Sequence, residues 1–195
     1  MEDGHRLTAR RILVLGKSGS GKSTLSRELS SILGIKHVEI DAIFWRPNWQ
    51  QTPKGVMQTI LDRELDPAGE WIADGNFRAF ADITWRRAEL IVWLDYPVVP
   101  VLWRLLLRSA WRIWTRQQVC GENYENGWGI LWPSHEHNVL LACLYQRRNH
   151  AREYPRMIKE YGEDKVMVFQ DERTCQAWVE KVRQRGQEQQ QEQPS

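Results

Sequence analysis

Cysteine is scarce and poorly placed for cross-links: the 195 residues hold three, Cys120, Cys143 and Cys175, with no Cys-x-x-Cys spacing. An odd, scattered set excludes a disulfide-built scaffold and points to reduced thiols in a cytoplasmic setting. No apolar run is long enough to span a bilayer, since the longest, "LIVWLDYPVVPVLW", carries a charge and prolines. The opening "MEDGHRLTARR" has no apolar core of a secretion signal, so a cytoplasmic protein without a membrane anchor is expected. Net charge is also small, formally +2, so bulk charge selects no partner and any basic site must come from local clustering. No internal repeat is visible.

Tryptophan, by contrast, is abundant: 11 copies spread from Trp45 to Trp178 predict a Trp-rich interior or cleft. A chain of this length can bury about 70% of its unfolded surface as one domain. Five short apolar runs, at 11–15, 36–40, 70–74, 90–95 and 165–169, read as strands. Segments of helical period separate or follow them, at 22–33, 54–65, 98–117, 134–161 and 173–184. Such alternation predicts an α/β domain over 10–184, with a mostly parallel sheet covered on both faces. The polar ends 1–9 and 185–195 read as flexible tails. The Gly/Asn-rich stretch 117–133 reads as a long loop, and with the arginine-bearing helix before it suggests a lid over 104–133.

"GKSGSGKST" carries the most specific chemistry. Gly16, Lys17, Ser18, Gly19, Ser20, Gly21, Lys22 and Ser23 fit Gly-x-x-x-x-Gly-Lys-Ser/Thr without a mismatch, and Thr24 continues into the helix. Glycines let backbone amides approach phosphate oxygens, and the helix that follows adds its positive end. Lys22 is expected on the β- and γ-phosphates and the Ser23 hydroxyl on Mg²⁺. Asn-Lys-x-Asp, a guanine-specifying signature, is absent, so ATP is the expected nucleotide. Asp95 closes an apolar strand and is expected beside the metal with Ser23.

In parallel sheets ligands sit beyond the carboxyl ends of the strands, which places Asp41 and Asp74 on the same rim as the loop. Asp41 is expected to orient or deprotonate an acceptor hydroxyl, or else to cap the next segment. Asp74-Gly75-Asn76-Phe77-Arg78 reads as a turn that puts a carboxylate near Mg²⁺ and Arg78 on an anionic acceptor, or as an ordinary Asp-Gly turn. The region 42–69 is the place for an acceptor-binding insertion, with Trp45, Arg46 and Trp49 as a wall. Arg104, Arg108, Arg112 and Arg116 fall on one helical stripe without an interleaved acid, and one or two are expected to clamp the transferring phosphate. Arg147, Arg148, Arg152 and Arg156 form a second basic row. His135 and His137 are spaced i, i+2 on a predicted helix and face different ways, so zinc is not expected.

"GKSGSGKST", "IDAIFWRPNW", "WIADGNF" and "LIVWLDYP", in this order, resemble the small P-loop kinase-like proteins labelled DNA topology modulation proteins or adenylate-kinase-related ATPases. The layout is also similar to nucleoside monophosphate, shikimate and gluconate kinases. The resemblance implies a P-loop NTPase three-layer sandwich, strand order 2-3-1-4-5, with an acceptor region after the second strand and an arginine-bearing lid. Asp74-Gly75-x-x-Arg78 looks like the Asp-Gly-Phe-Pro-Arg turn of adenylate kinases, with Asn76-Phe77 in place of Phe-Pro. Asp41 stands where shikimate-type kinases place a hydroxyl-activating carboxylate. The expectation is an ATP- and Mg²⁺-dependent phosphotransferase for a small acceptor. The alternative is a nucleotide-dependent regulatory ATPase that binds nucleic acid through its arginine rows.

Overall fold

The computed structural model describes residues 6–75, 77–120, 123–124 and 139–191. "RILVL" is aliphatic on both faces, as a central strand of a doubly covered sheet must be, and it forms β1, Arg11–Gly16. The loop follows and runs into α1, Lys22–Leu33, which ends on Gly34 in the left-handed conformation. β2, His37–Glu39, passes directly into a short helix α2, Ile40–Phe44. A small hairpin, Trp45–Arg46 with Gln50–Gln51, leads to α3, Lys54–Glu64. Then come β3, Trp71–Asp74; α4, Ala81–Arg87; β4, Leu90–Leu94; and α5, Val98–Thr115. A second hairpin, Gln118–Val119 with Asn123–Tyr124, precedes α6, Val139–Tyr161; β5, Val166–Phe169; and α7, Glu172–Gln191.

All five strands are parallel, in the order 2-3-1-4-5. β1 alternates between two cores. Ile12 and Val14 pack with Leu25 and Leu29 of α1, Leu105 of α5 and Val179 of α7. Leu13 and Leu15 face the other way, onto Met57 and Leu61 of α3, Trp85 of α4 and Tyr154 of α6. Each fully buried leucine contributes about 1.5–3 kcal/mol, so the central strand anchors both layers. Its register sets the site: Val14 lies opposite Asp74, and Gly16 opposite Leu94, so the loop leaves β1 between the ends of β3 and β4.

Three expectations need correction. Asp41 does not end a strand: β2 stops at Glu39 and Asp41 occupies the first turn of α2. The end from 185 is helical as far as Gln191, because Gln, Glu and Arg sustain a helix already anchored by Trp178, Val179 and Val182. The lead-in is not wholly free either, since residues 6–8 are helical, Leu7 packs on the core and Ala9 is buried. Tryptophans divide: Trp71, Trp85 and Trp178 are buried, while Trp49, Trp103, Trp111 and Trp114 are exposed. Four of the exposed apolar side chains, Val99, Trp103, Leu107 and Trp111, recur every fourth residue along the outer face of α5.

Candidate active site

Backbone geometry shapes the loop first. Gly19 and Gly21 take φ of 80° and 93°, values that side chains other than glycine adopt only at a cost, and the Ser20 amide donates to the Lys17 carbonyl at 3.1 Å. A Cβ at Gly21 would meet nothing within 4 Å, so the loop's inner wall there is open space. Ser20 is buried, and among the described residues its hydroxyl has no hydrogen-bond partner. A buried donor left unmatched is costly and suits a ligand oxygen.

Three carboxylates surround this loop, each differently engaged. Asp74, fully buried, accepts a hydrogen bond from Ser23 Oγ on Oδ2 at 2.6 Å. Its other oxygen, Oδ1, meets His37 Nε2. Asp95, expected beside the metal, engages a lysine of the loop. Its Oδ1 accepts from Lys17 Nζ at 2.7 Å, so the carboxylate on Ser23 is Asp74. Asp41 is half-buried. Desolvation raises its carboxyl above the usual range; Lys22 pulls it back, Asp74 and Glu39 push it up, and Arg108 opposes them weakly.

The cations are equally particular. Lys17 is buried and bent onto Asp95, so its side chain fixes the loop instead of lining it. Lys22 Nζ donates to the Lys17 carbonyl at 3.3 Å, across the mouth of the loop. Arg104 and Arg108 line a cavity of about 280 Å³ that opens beside Gly19, Gly21, Thr24 and Gln176. Arg104 also pairs with Glu172 of α7 at 2.6 Å. Arg112 is half-buried on the same helix, and Arg116 is exposed just past its end. Arg78 points elsewhere than expected: its guanidinium is exposed and pairs with Glu153 of α6 at 2.5 Å. Arg147, Arg148, Arg152 and Arg156 are exposed on α6.

The insertion and the second hairpin are joined. Asn123 is buried; it accepts from the Trp49 amide at 2.8 Å and donates to the carbonyls of Arg46 and Cys120 at 3.1 and 3.0 Å. Trp45 and Trp49 meet edge to face, 5.6 Å between centroids. A larger cavity, about 860 Å³, lies along the insertion and the edge of β2, lined by His37, Trp45, Arg46, Thr52 and Ile60. Asn76, His135, Glu136, His137 and the lid stretch 125–133 fall outside the described residues.

Sequence reasoning missed His37, the inward turn of Lys17, Asn123 and His150. His150, buried on α6, stacks on Tyr154 with centroids 4.4 Å apart. Burial, then the charges of Lys22 and Lys17, push it down to about 3, so its ring is neutral at physiological pH. For His37 a signal was available: it shares the strand face of Glu39, whose register partner is Asp74.

No family model matches the chain. It is 27% identical over 143 residues to the uncharacterized protein YqaC of Bacillus subtilis (strain 168), covering 69% of this chain and 79% of that one. Among solved structures, shikimate kinase from Bacteroides thetaiotaomicron superposes with a TM-score of 0.53 at 17% identity, over 94% of this chain and 99% of that one. A gluconokinase from Sinorhizobium meliloti 1021 gives a TM-score of 0.49 at 17% identity, over 90% and 87%. The fold is therefore P-loop kinase-like: an α/β sandwich on a five-stranded parallel sheet.

Proposed function

We propose that this chain is an ATP- and Mg²⁺-dependent phosphotransferase acting on a small acceptor. The observation that carries the reading is the Ser23–Asp74 hydrogen bond at the foot of a complete phosphate loop, with Lys22 poised across the mouth. The residues fit the implied group. A hydroxyl backed by a carboxylate offers the hard oxygen donors Mg²⁺ takes, and Ser20 offers a buried, unmatched hydroxyl inside the loop.

Ser23 and Asp74 would hold Mg²⁺, which supplies charge neutralisation on the terminal phosphates. The loop amides and Lys22 bind and orient the β- and γ-phosphates, while the cavity lined by Arg104, Arg108 and Gln176 accommodates the nucleoside. Arg108 and Arg112 are the arginines we assign to charge on the transferring group. Asp41, whose raised carboxyl makes its ionised form a stronger base than an ordinary aspartate, suits proton uptake from an acceptor hydroxyl approaching from the insertion side. Arg78, exposed and paired with Glu153, has no part in this reading.

The test measures ADP release with panels of sugars, carboxylic acids bearing hydroxyls, nucleosides and nucleoside monophosphates. A supporting outcome is one acceptor class that raises turnover well above the reaction with water. No stimulation by any class refutes the transferase reading.

A further inference from the structure

Asp74 carries a full carboxylate into the interior, a cost met only if both oxygens find partners. Ser23 Oγ satisfies Oδ2 and His37 Nε2 satisfies Oδ1. The last torsion of an aspartate is broad, so one hydrogen bond leaves the carboxylate free to swing about its own axis. Two contacts, from helix α1 on one side and strand β2 on the other, set its plane. His37 is well placed for this, being two positions before Glu39, the register partner of Asp74, and so on the same face of the sheet. An ionised carboxylate only accepts, so the shared proton belongs to Nε2.

We propose that His37 is a positioning residue for the metal side of the loop. It donates Nε2–H to Asp74 Oδ1, which fixes Oδ2 on the Ser23 hydroxyl and leaves that hydroxyl's lone pairs available to a Mg²⁺ that Ser23 and Asp74 would hold. His37 touches neither nucleotide nor metal. The neutral tautomer is sufficient, and no change of charge is involved. The inference rests on the phosphotransferase reading of the same loop. Its general basis is that outer partners of a ligating group are typically worth about 10–100-fold in metal affinity.

The experiment is calorimetric titration of ATP, with and without Mg²⁺, into the full chain and two variants. His37→Leu removes the donor; His37→Gln keeps an N–H at similar reach. His37→Leu is expected to weaken the Mg²⁺-dependent gain in ATP affinity about 10–100-fold while the Mg²⁺-free affinity stays within about twofold. His37→Gln is expected to recover most of that gain. Circular dichroism checks folding, and if the leucine variant unfolds, His37→Asn, too short to reach Oδ1, replaces it with the same expectation. An unchanged Mg²⁺ gain in the donor-less variant, equal loss with and without Mg²⁺, or failure of glutamine to rescue overturns the inference alone. No uptake of ATP with Mg²⁺ by the unsubstituted chain overturns the phosphotransferase reading as well.

Discussion

Lys17 Nζ donates to Asp95 Oδ1 at 2.7 Å, fastening the second residue of the phosphate loop to the first residue past β4. The Asp95 amide in turn donates to the Phe169 carbonyl at 2.9 Å, so the loop is tied through one residue to the end of β5. Lys17→Met breaks this tie and leaves Asp95, about a third exposed, partly compensated by water. After that discount for solvent, urea unfolding should show a loss of about 1–2 kcal/mol, with weaker ATP binding beside it.

Lys22 makes its bond to the loop carbonyl, a weak substitute for a phosphate. Replacing it with alanine removes a charged hydrogen bond, worth about 1.5–3 kcal/mol, so ATP affinity should fall about 10–150-fold in a fluorescence or calorimetric titration. Thermal stability without ligand should hardly move.

Asp41→Asn discriminates between acceptors. If the acceptor is a hydroxyl, kcat should drop about 10²–10⁴-fold, the usual contribution of a general base. A phosphate acceptor is already ionised, and the same substitution should then cost far less.

His150 controls part of the acid response. Its folded pKa of about 3 lies below the ordinary 6.5, so between these values the unfolded chain binds a proton that the folded chain refuses. Stability from this group is full above pH 6.5 and drains away as pH falls toward 3. His150→Gln should flatten the fall in urea midpoint between pH 6.5 and 4. The raised carboxyl of Asp41 acts with the opposite sign, so the comparison must be made against the unsubstituted chain.

Asn123 joins the insertion to the second hairpin through three hydrogen bonds. Asn123→Ala should cost about 1–3 kcal/mol, because backbone groups at Trp49, Arg46 and Cys120 lose a matched partner. Limited proteolysis should then cut the 46–50 turn faster, while cleavage elsewhere is unchanged.

What could be read in the residues follows from distance along the chain. The phosphate loop is contiguous, and the alternation of apolar runs with long helical segments is local, so the loop, the sheet and the longer helices were legible, whereas α2 and α4, five and seven residues long, are too short to show a helical period. Asp74 was legible as a rim carboxylate, but its partners lie 37 and 51 residues away, and no spacing rule joins His37, Asp74 and Ser23. Lys17 reads as a loop cation; only the position of Asp95, 78 residues on, bends it inward. Asp41 looked like a strand end because "KHVEI" is apolar enough to continue, yet the helix of α2 begins at Ile40. The polar end of α7 carries no burial signal, so its helix depends on propensity propagated from the anchored turns before it.

β1 contributes its alternate side chains to both hydrophobic layers, with Leu13 and Val14 wholly inaccessible. It has a hydrogen-bonded neighbour on either side, so its amides can exchange with deuterium only when the entire domain opens. The glycine-rich turn grows directly from this slowest-exchanging segment. Heat or denaturant should therefore erase nucleotide uptake and the protection of β1 in one cooperative step, instead of melting the turn first.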